Sequence, residues 1–282
     1  MKFGLMTYPT DESIGVVELG RAAEGLGFES LFVPDHSHIP VSRRTPWPGG
    51  GEDMPRHYAR FLDPFVALSA IAAVTSTLTL GTGICIVPER DPIITAKEVA
   101  SVDLLSGGRM LFGVGAGWNI EEMENHGTDP RTRWKAMREQ VLAMKQIWTQ
   151  DEAKYHGAFV NFDPIWSWPK PVQKPHPPIL VGGNGPHAIQ RVLDYGDEWG
   201  PTPADRTGAP LAEKIAELNA RAAERGRGPI PVSIFAARPH PATIERYQRA
   251  GVFRLVFNVP SADAATVLPA LQQIAEAART AL

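Results

Sequence analysis

Asp35, His36 and His38 stand together in the segment Pro34-Asp35-His36-Ser37-His38. A carboxylate beside two imidazoles can do acid–base work near neutral pH, hydrogen-bond a ligand, or ligate a metal through a His-x-His spacing. Polar side chains that only hold their own loop would read the same way. His126, His156, His176, His187 and His240 fall in loops or helices elsewhere, so no metal centre is expected. Two glycine sets carry a second kind of chemistry. Gly81 and Gly83 sit inside a strand-like stretch, and Gly113, Gly115 and Gly117 alternate at the end of another. Glycine inside a strand marks a bulge or a place where a ligand comes close to the backbone. The Gly113-x-Gly115-x-Gly117 spacing is not the dinucleotide fingerprint. It suits a backbone lying against a flat ring, or an ordinary strand-to-helix turn. Gly182-Gly183-Asn184-Gly185, followed by Pro186 and a helical pattern, suits an anion held by backbone N–H groups at a helix start. Trp47, Tyr58 and Phe61, with Trp166 and Trp168, lie in proline-rich stretches. They can wall an apolar pocket, form a dimer surface, or pack loops.

These residues need a frame that brings them to one place. The pattern predicts strands over 2–8, 30–33, 78–86, 109–113, 178–183, 197–200, 231–236 and 253–257. Helices are expected over 13–25, 65–74, 92–105, 131–148, 186–195, 211–225, 241–250 and 262–278. Asp63 with Pro64, and Pro92, suit helix starts, and Gly107-Gly108 suits a helix end. In the helix over 92–105, Ile94, Val99, Val102 and Leu105 are read as one apolar side. Eight strands alternating with helices predict a (β/α)8 barrel, with a doubly wound open sheet as the alternative. Insertions follow strand 2, as a loop over 39–63, and occupy 151–178. In a barrel, all three clusters sit at the carboxyl ends of strands, where such folds bind ligands.

Composition narrows the classes. A net charge of -3 offers nothing to nucleic acid. One cysteine, Cys85, excludes a disulfide framework, points to a reducing compartment, and reads as a core residue. No apolar run approaches the roughly 18 residues of a membrane span. The start, MKFGLMTYPT, reads as a first strand. A single cytoplasmic domain over 1–282 is expected, without nucleic-acid or membrane partners.

Several segments then carry a resemblance over nearly the whole chain. They are Pro34-Asp35-His36, LGTGI over 80–84, RMLFGVGAGW over 109–118, PKPVQKPHPPILVGGNG over 169–185, and YGDEW over 195–199. Together they resemble the luciferase-like monooxygenase superfamily, and within it the oxidoreductases that use the deazaflavin coenzyme F420. The resemblance implies a barrel holding a flavin-like ring at its mouth, against a bulge with a non-prolyl cis peptide at Gly83–Ile84. It places Asp35 and His36 beside the ring, with His36 as proton donor or acceptor. Ile86, Gly115 and Gly117 would complete the ring pocket, and N–H groups of Gly182, Gly183 and Asn184 would hold phosphate. Trp118 stands where the family's sugar-phosphate dehydrogenases carry an acidic glutamate. Trp118 cannot transfer a proton, so an apolar or conjugated substrate, such as an enone or ketone, is expected, with Trp118 and Trp47 at its pocket. The implied activity is hydride transfer between F420 and a small organic substrate. An FMN-dependent monooxygenase is the first alternative, and a metal-dependent barrel hydrolase using Asp35, His36 and His38 is the second. A homodimer is expected.

Overall fold

The computed structural model describes residues 1–50, 53–203 and 210–280. The loop expected over 39–63 therefore lies outside the described residues at 51–52. Eight strands form the barrel: β1 (Lys2–Met6), β2 (Ser30–Val33), β3 (Thr79–Thr82), β5 (Met110–Gly115), β8 (Ile179–Gly182), β9 (Glu198–Gly200), β10 (Ser233–Ala237) and β11 (Arg254–Asn258). A two-residue strand, β4 (Cys85–Ile86), pairs with the upper half of β5. The order is β10-β11-β1-β2-β3-β5-β8-β9, with every neighbour parallel. The ring closes through a parallel bridge between Trp199 and Val232 and a bond from Phe235 N to the Pro201 carbonyl at 2.9 Å. The closed barrel, not the open sheet, is the architecture.

Helices coat the outside: α1 (Val16–Gly25), α2 (Pro64–Ala72), α3 (Pro92–Leu105), α4 (Ile120–Asn125), α5 (Arg133–Thr149), α6 (Ala188–Tyr195), α7 (Leu211–Glu224), α8 (Pro241–Arg249) and α9 (Ala264–Thr280). Asp63 and Asp91 each cap a helix whose first residue is proline, accepting from the next two free N–H groups. The apolar side read for α3 is half right. Val99 and Val102 are buried, but Ile94 is 60% and Leu105 65% exposed. Apolar residues run all round this helix, so spacing alone does not say which side meets the barrel. Segment 151–178 contains an antiparallel hairpin, β6 (Ala153–His156) and β7 (Asn161–Ile165), which the pattern did not reveal. Trp166 and Trp168 lie beyond it, largely exposed, and not in the cavity at the barrel mouth.

The barrel interior is layered. At the amino-terminal end, buried Arg254 bonds Glu198, Ser233 and Glu29. The middle is apolar: Met6, Phe32, Leu111, Leu180 and Val256, with Tyr8, Ile84 and Phe235 against them. Above these, alternation along each strand brings Gly83, Gly115, Gly182 and Gly200 to the inner face. Gly83 follows β3 and the other three end β5, β8 and β9, so the strands leave one side of the mouth bare and Ile84 lies across it.

Candidate active site

A cavity of about 490 Å3 opens at the carboxyl ends of the strands. Its wall includes the four inward glycines, Gly117, Gly183, Ile84, Ile86, Asp35, His36 and Trp118. Tyr8, Tyr58, Phe61, Phe235 and Asn258 line the other side. Asn184 borders a neighbouring cavity instead, and Trp47 lines neither. The Trp47 ring packs edge-on to Tyr58, with centroids 5.9 Å apart, so it supports the wall from behind.

The strand predicted over 78–86 breaks after Thr82 and resumes at Cys85. Between them the Gly83–Ile84 peptide is cis, as the resemblance implies. The main chain here comes so close to β5 that a Cβ on Gly113 would lie 2.0 Å from the Thr82 carbonyl oxygen. The Ile84 side chain lies across the glycine side of the mouth. A Cβ on Gly115 would be 2.1 Å from its Cδ1, and one on Gly182 would be 3.1 Å from its Cγ2. Ile84 therefore forms an apolar surface on a bare backbone trough.

Asp35 holds the far side of this bulge. Its carboxylate accepts from the Ile86 N–H at 3.0 Å and takes Arg90 in a two-point pair, Nε at 2.8 Å and a terminal nitrogen at 2.8 Å. Arg90 also reaches Asp63 at 2.8 Å, tying the pair to the α2 cap. Asp35 is 4% exposed. These hydrogen bonds, and the charge of Asp35, push the Arg90 guanidinium above its ordinary value despite burial. Composition gave no sign of Arg90; an arginine just past a strand end, before an aspartate cap, was the available signal.

His36 lies beside Asp35 and lines the same cavity. Trp118 donates its indole N–H to Nε2 at 3.2 Å, so the ring proton sits on Nδ1, which is 2.7 Å from Glu122 Oε2. Glu122 is fully buried and comes from the first turn of α4, beside Glu121. A carboxylate behind an imidazole fixes its tautomer and offsets the charge formed when Nε2 takes a proton. Behind Glu122 lies Glu89, pushed up to about 9 by burial and then by the charges of Glu122 and Asp35. Tyr8, across the cavity, is raised well above the ordinary phenol range by burial and then by Tyr58, so it remains a hydroxyl donor.

The metal alternative finds no support in this arrangement. His38 is engaged by Ser37 at 2.8 Å and Asn125 at 2.9 Å, and Asp35 by Arg90. Among the described residues no three His, Cys, Asp or Glu side chains stand together as ligands.

The segment after β2 roofs the cavity through Pro48, Tyr58 and Phe61. Arg44 fastens it to α4, giving its backbone N–H to Glu121 at 2.8 Å and its Nε at 2.9 Å. At the other edge, the glycine loop turns inward at Gly183, with φ of +116°. The Gly183 N–H is already bonded to the Gly200 carbonyl at 3.1 Å. The Asn184 side chain and Thr202 bond each other, at 2.8 and 2.9 Å. Thr202 also borders the second cavity, of about 640 Å3, which is walled by Lys214, Arg246 and Arg249 among others.

Comparison with known proteins agrees with this geometry. An uncharacterized protein of Mycobacterium tuberculosis is 40% identical over 268 residues, 94% of each chain. A monooxygenase from Streptomyces bottropensis shares the fold with a TM-score of 0.81 at 19% identity, covering 99% of each chain. An F420-dependent secondary alcohol dehydrogenase, solved with an F420–acetone adduct, has a TM-score of 0.76 at 18% identity, covering 100% of this chain and 99% of its own. A profile of the luciferase-like monooxygenase family matches residues 3–240. With its barrel, its glycine-sided mouth and this match in hand, the chain belongs to the luciferase-like monooxygenase family.

Proposed function

We propose that this chain is an oxidoreductase that moves a hydride between the deazaflavin F420 and a small apolar or conjugated organic substrate. The observation that carries the reading is the glycine-sided mouth with a buried, carboxylate-backed imidazole at its edge. A planar ring needs a trough that a Cβ would fill, and Gly115 and Gly182, with Ile84 across them, supply one. An anionic tail needs cations beyond the ring. Lys214, Arg246 and Arg249 stand in the cavity that adjoins the first at Thr202. Gly83, Ile84, Ile86, Gly115 and Gly117 would hold the ring, and Gly182, Gly183 and Asn184 would lead toward the phosphate. When bound there, the deazaflavin supplies a carbon that takes or returns a hydride.

The chain's own residues do the remaining work. His36 Nε2 receives the hydroxyl proton of an alcohol, or returns one to a carbonyl, once the substrate displaces the Trp118 N–H. Trp118, Tyr58 and Phe61 exclude water from an apolar substrate. Asp35 does not face the ring in this reading; it fixes the bulge through Ile86 and Arg90. The basic side chains along the second cavity suit a multiply charged tail better than a single phosphate, and so favour F420 over the FMN monooxygenase reading. Titrating the purified protein with F420 and with FMN, followed by fluorescence quenching, tests the choice. Tight FMN binding with no F420 binding would overturn it.

A homodimer is also proposed. Val66 on α2 and Ile94 and Leu105 on α3 leave apolar area exposed on two adjacent helices. Light scattering after gel filtration at micromolar protein is expected to give twice the chain mass; a monomer would refute it.

A further inference from the structure

Two carboxyls near His36, Glu122 wholly buried and Glu89 partly so, remain unexplained by proton transfer at the imidazole alone. Oε1 of Glu122 and Oε1 of Glu89 are both buried, and neither has a donor among the described residues. The two side chains are nevertheless hydrogen-bond neighbours. Two carboxylates cannot donate to each other, so one must carry a proton. That proton is the donor both oxygens need.

We propose that Glu89 and Glu122 act as one carboxyl pair, sharing a single proton behind His36, and that the pair sets the tautomer and counter-charge of the imidazole during proton transfer. The inference rests on the oxidoreductase reading for its purpose, though not for its existence. It makes Glu122 and Glu89 positioning residues, acting through His36.

The surroundings decide which carboxyl holds the proton. Asp35 and His36 face the pair from the exit of β2, Arg90 from the chain after the bulge and His126 from the end of α4, with Cys85 and Glu98 beyond them on Asp35 and Arg90. Arg90 is the guanidinium among these groups, and it is committed to Asp35 and Asp63. Glu122 has the imidazole as partner, whereas Glu89 has no ion-paired cation among the described residues, so the proton rests on Glu89. In the transfer step the substrate O–H bond breaks, an N–H bond forms at Nε2, and the electron pair stays on oxygen. The Nδ1 proton stays directed at Glu122, whose charge balances the imidazolium. The proton on Glu89 occupies the other Glu122 oxygen, so Glu122 remains an acceptor and does not strip Nδ1. The reverse step returns the Nε2 proton to a carbonyl.

The test is infrared difference spectroscopy of the full-length protein, with and without F420, as pH is raised from neutral. A protonated-carboxyl band is expected at neutral pH, fading as pH passes about 9, and absent in Glu89→Gln. Nitrogen NMR of His36 is expected to show the Nδ1–H tautomer, with its Nδ1–H signal shifted in Glu122→Gln as the accepting charge is lost, and turnover reduced about 10²-fold or more with KM little changed. Should Glu122→Gln fail to fold, Glu89→Gln, which mimics the protonated acid, still decides the matter. A missing band, or one unchanged in Glu89→Gln, overturns the pair. A band present in a protein that neither binds nor turns over F420 supports the pair and sinks the redox reading.

Discussion

Replacing Asp35 with Asn separates two roles that the sequence could not tell apart, a contact to the ring and a tether for the bulge. The carboxylate is 4% exposed and accepts three bonds, one from Ile86 N–H and two from Arg90. Removing one member of a buried ion pair costs about 3–5 kcal/mol when the other is left uncompensated. Arg90 keeps Asp63 at 2.8 Å and Glu98 at 3.5 Å, which moves the cost to the lower end. Asn can still accept from Ile86 N–H, but its amide N–H groups face a guanidinium that needs acceptors. A loss of about 3 kcal/mol follows, which for a chain of this size lowers Tm by about 5 °C. Calorimetry measures this, and cofactor titration of the same variant, below its lowered Tm, measures the effect on the mouth. Stability should fall strongly, with a smaller loss of cofactor affinity as the bulge loosens. A variant with unchanged Tm and at least tenfold weaker cofactor binding would refute the tether and restore the ring contact.

Other outcomes follow from the same geometry. His36→Ala should lower turnover by about 10²–10⁴ while cofactor affinity, read by fluorescence titration, stays within a few-fold; unchanged turnover removes its proton role. Gly115→Val should weaken cofactor binding at least tenfold, because its Cβ would start 2.1 Å from Ile84 and push that side chain into the ring trough; wild-type affinity would show that the ring lies elsewhere. Glu89 keeps a proton in the folded chain that the unfolded chain releases above the ordinary glutamate value of 4.5, so stability should fall as pH rises from there toward about 9. Glu89→Gln removes that slope, at most about 1.4 kcal/mol per pH unit, and urea unfolding at a series of pH values reads it; parallel slopes in the two proteins would contradict a raised Glu89.

The frame was legible because strands and helices alternate with clear apolar runs, and the interruption of the strand over 78–86 was signalled by Gly81 and Gly83. What failed to show has physical reasons. Glu122 follows Asn119 and Glu121 in a stretch whose polarity suggests solvent, yet the helix turns that carboxylate inward to meet His36. Glu89 and Arg90 read as a charged loop, since only the fold brings Asp35 and Glu122 to them. α3 is apolar on every side, which hides its orientation. The aromatic stretches looked alike in sequence, but Tyr58 and Phe61 line the cavity while Trp166 and Trp168 face outward beyond the hairpin.

The short helix α4 has a double attachment. Glu121 clasps Arg44 of the roofing segment, and the next residue, Glu122, clasps the imidazole. Lifting that cover to admit a substrate therefore loads the same helical turn that seats His36. Entry to the pocket and readiness of its base are geared to a single peptide unit, so a guest bulky enough to prise the cover open would also disturb the imidazole it needs, and the snug guest is served best.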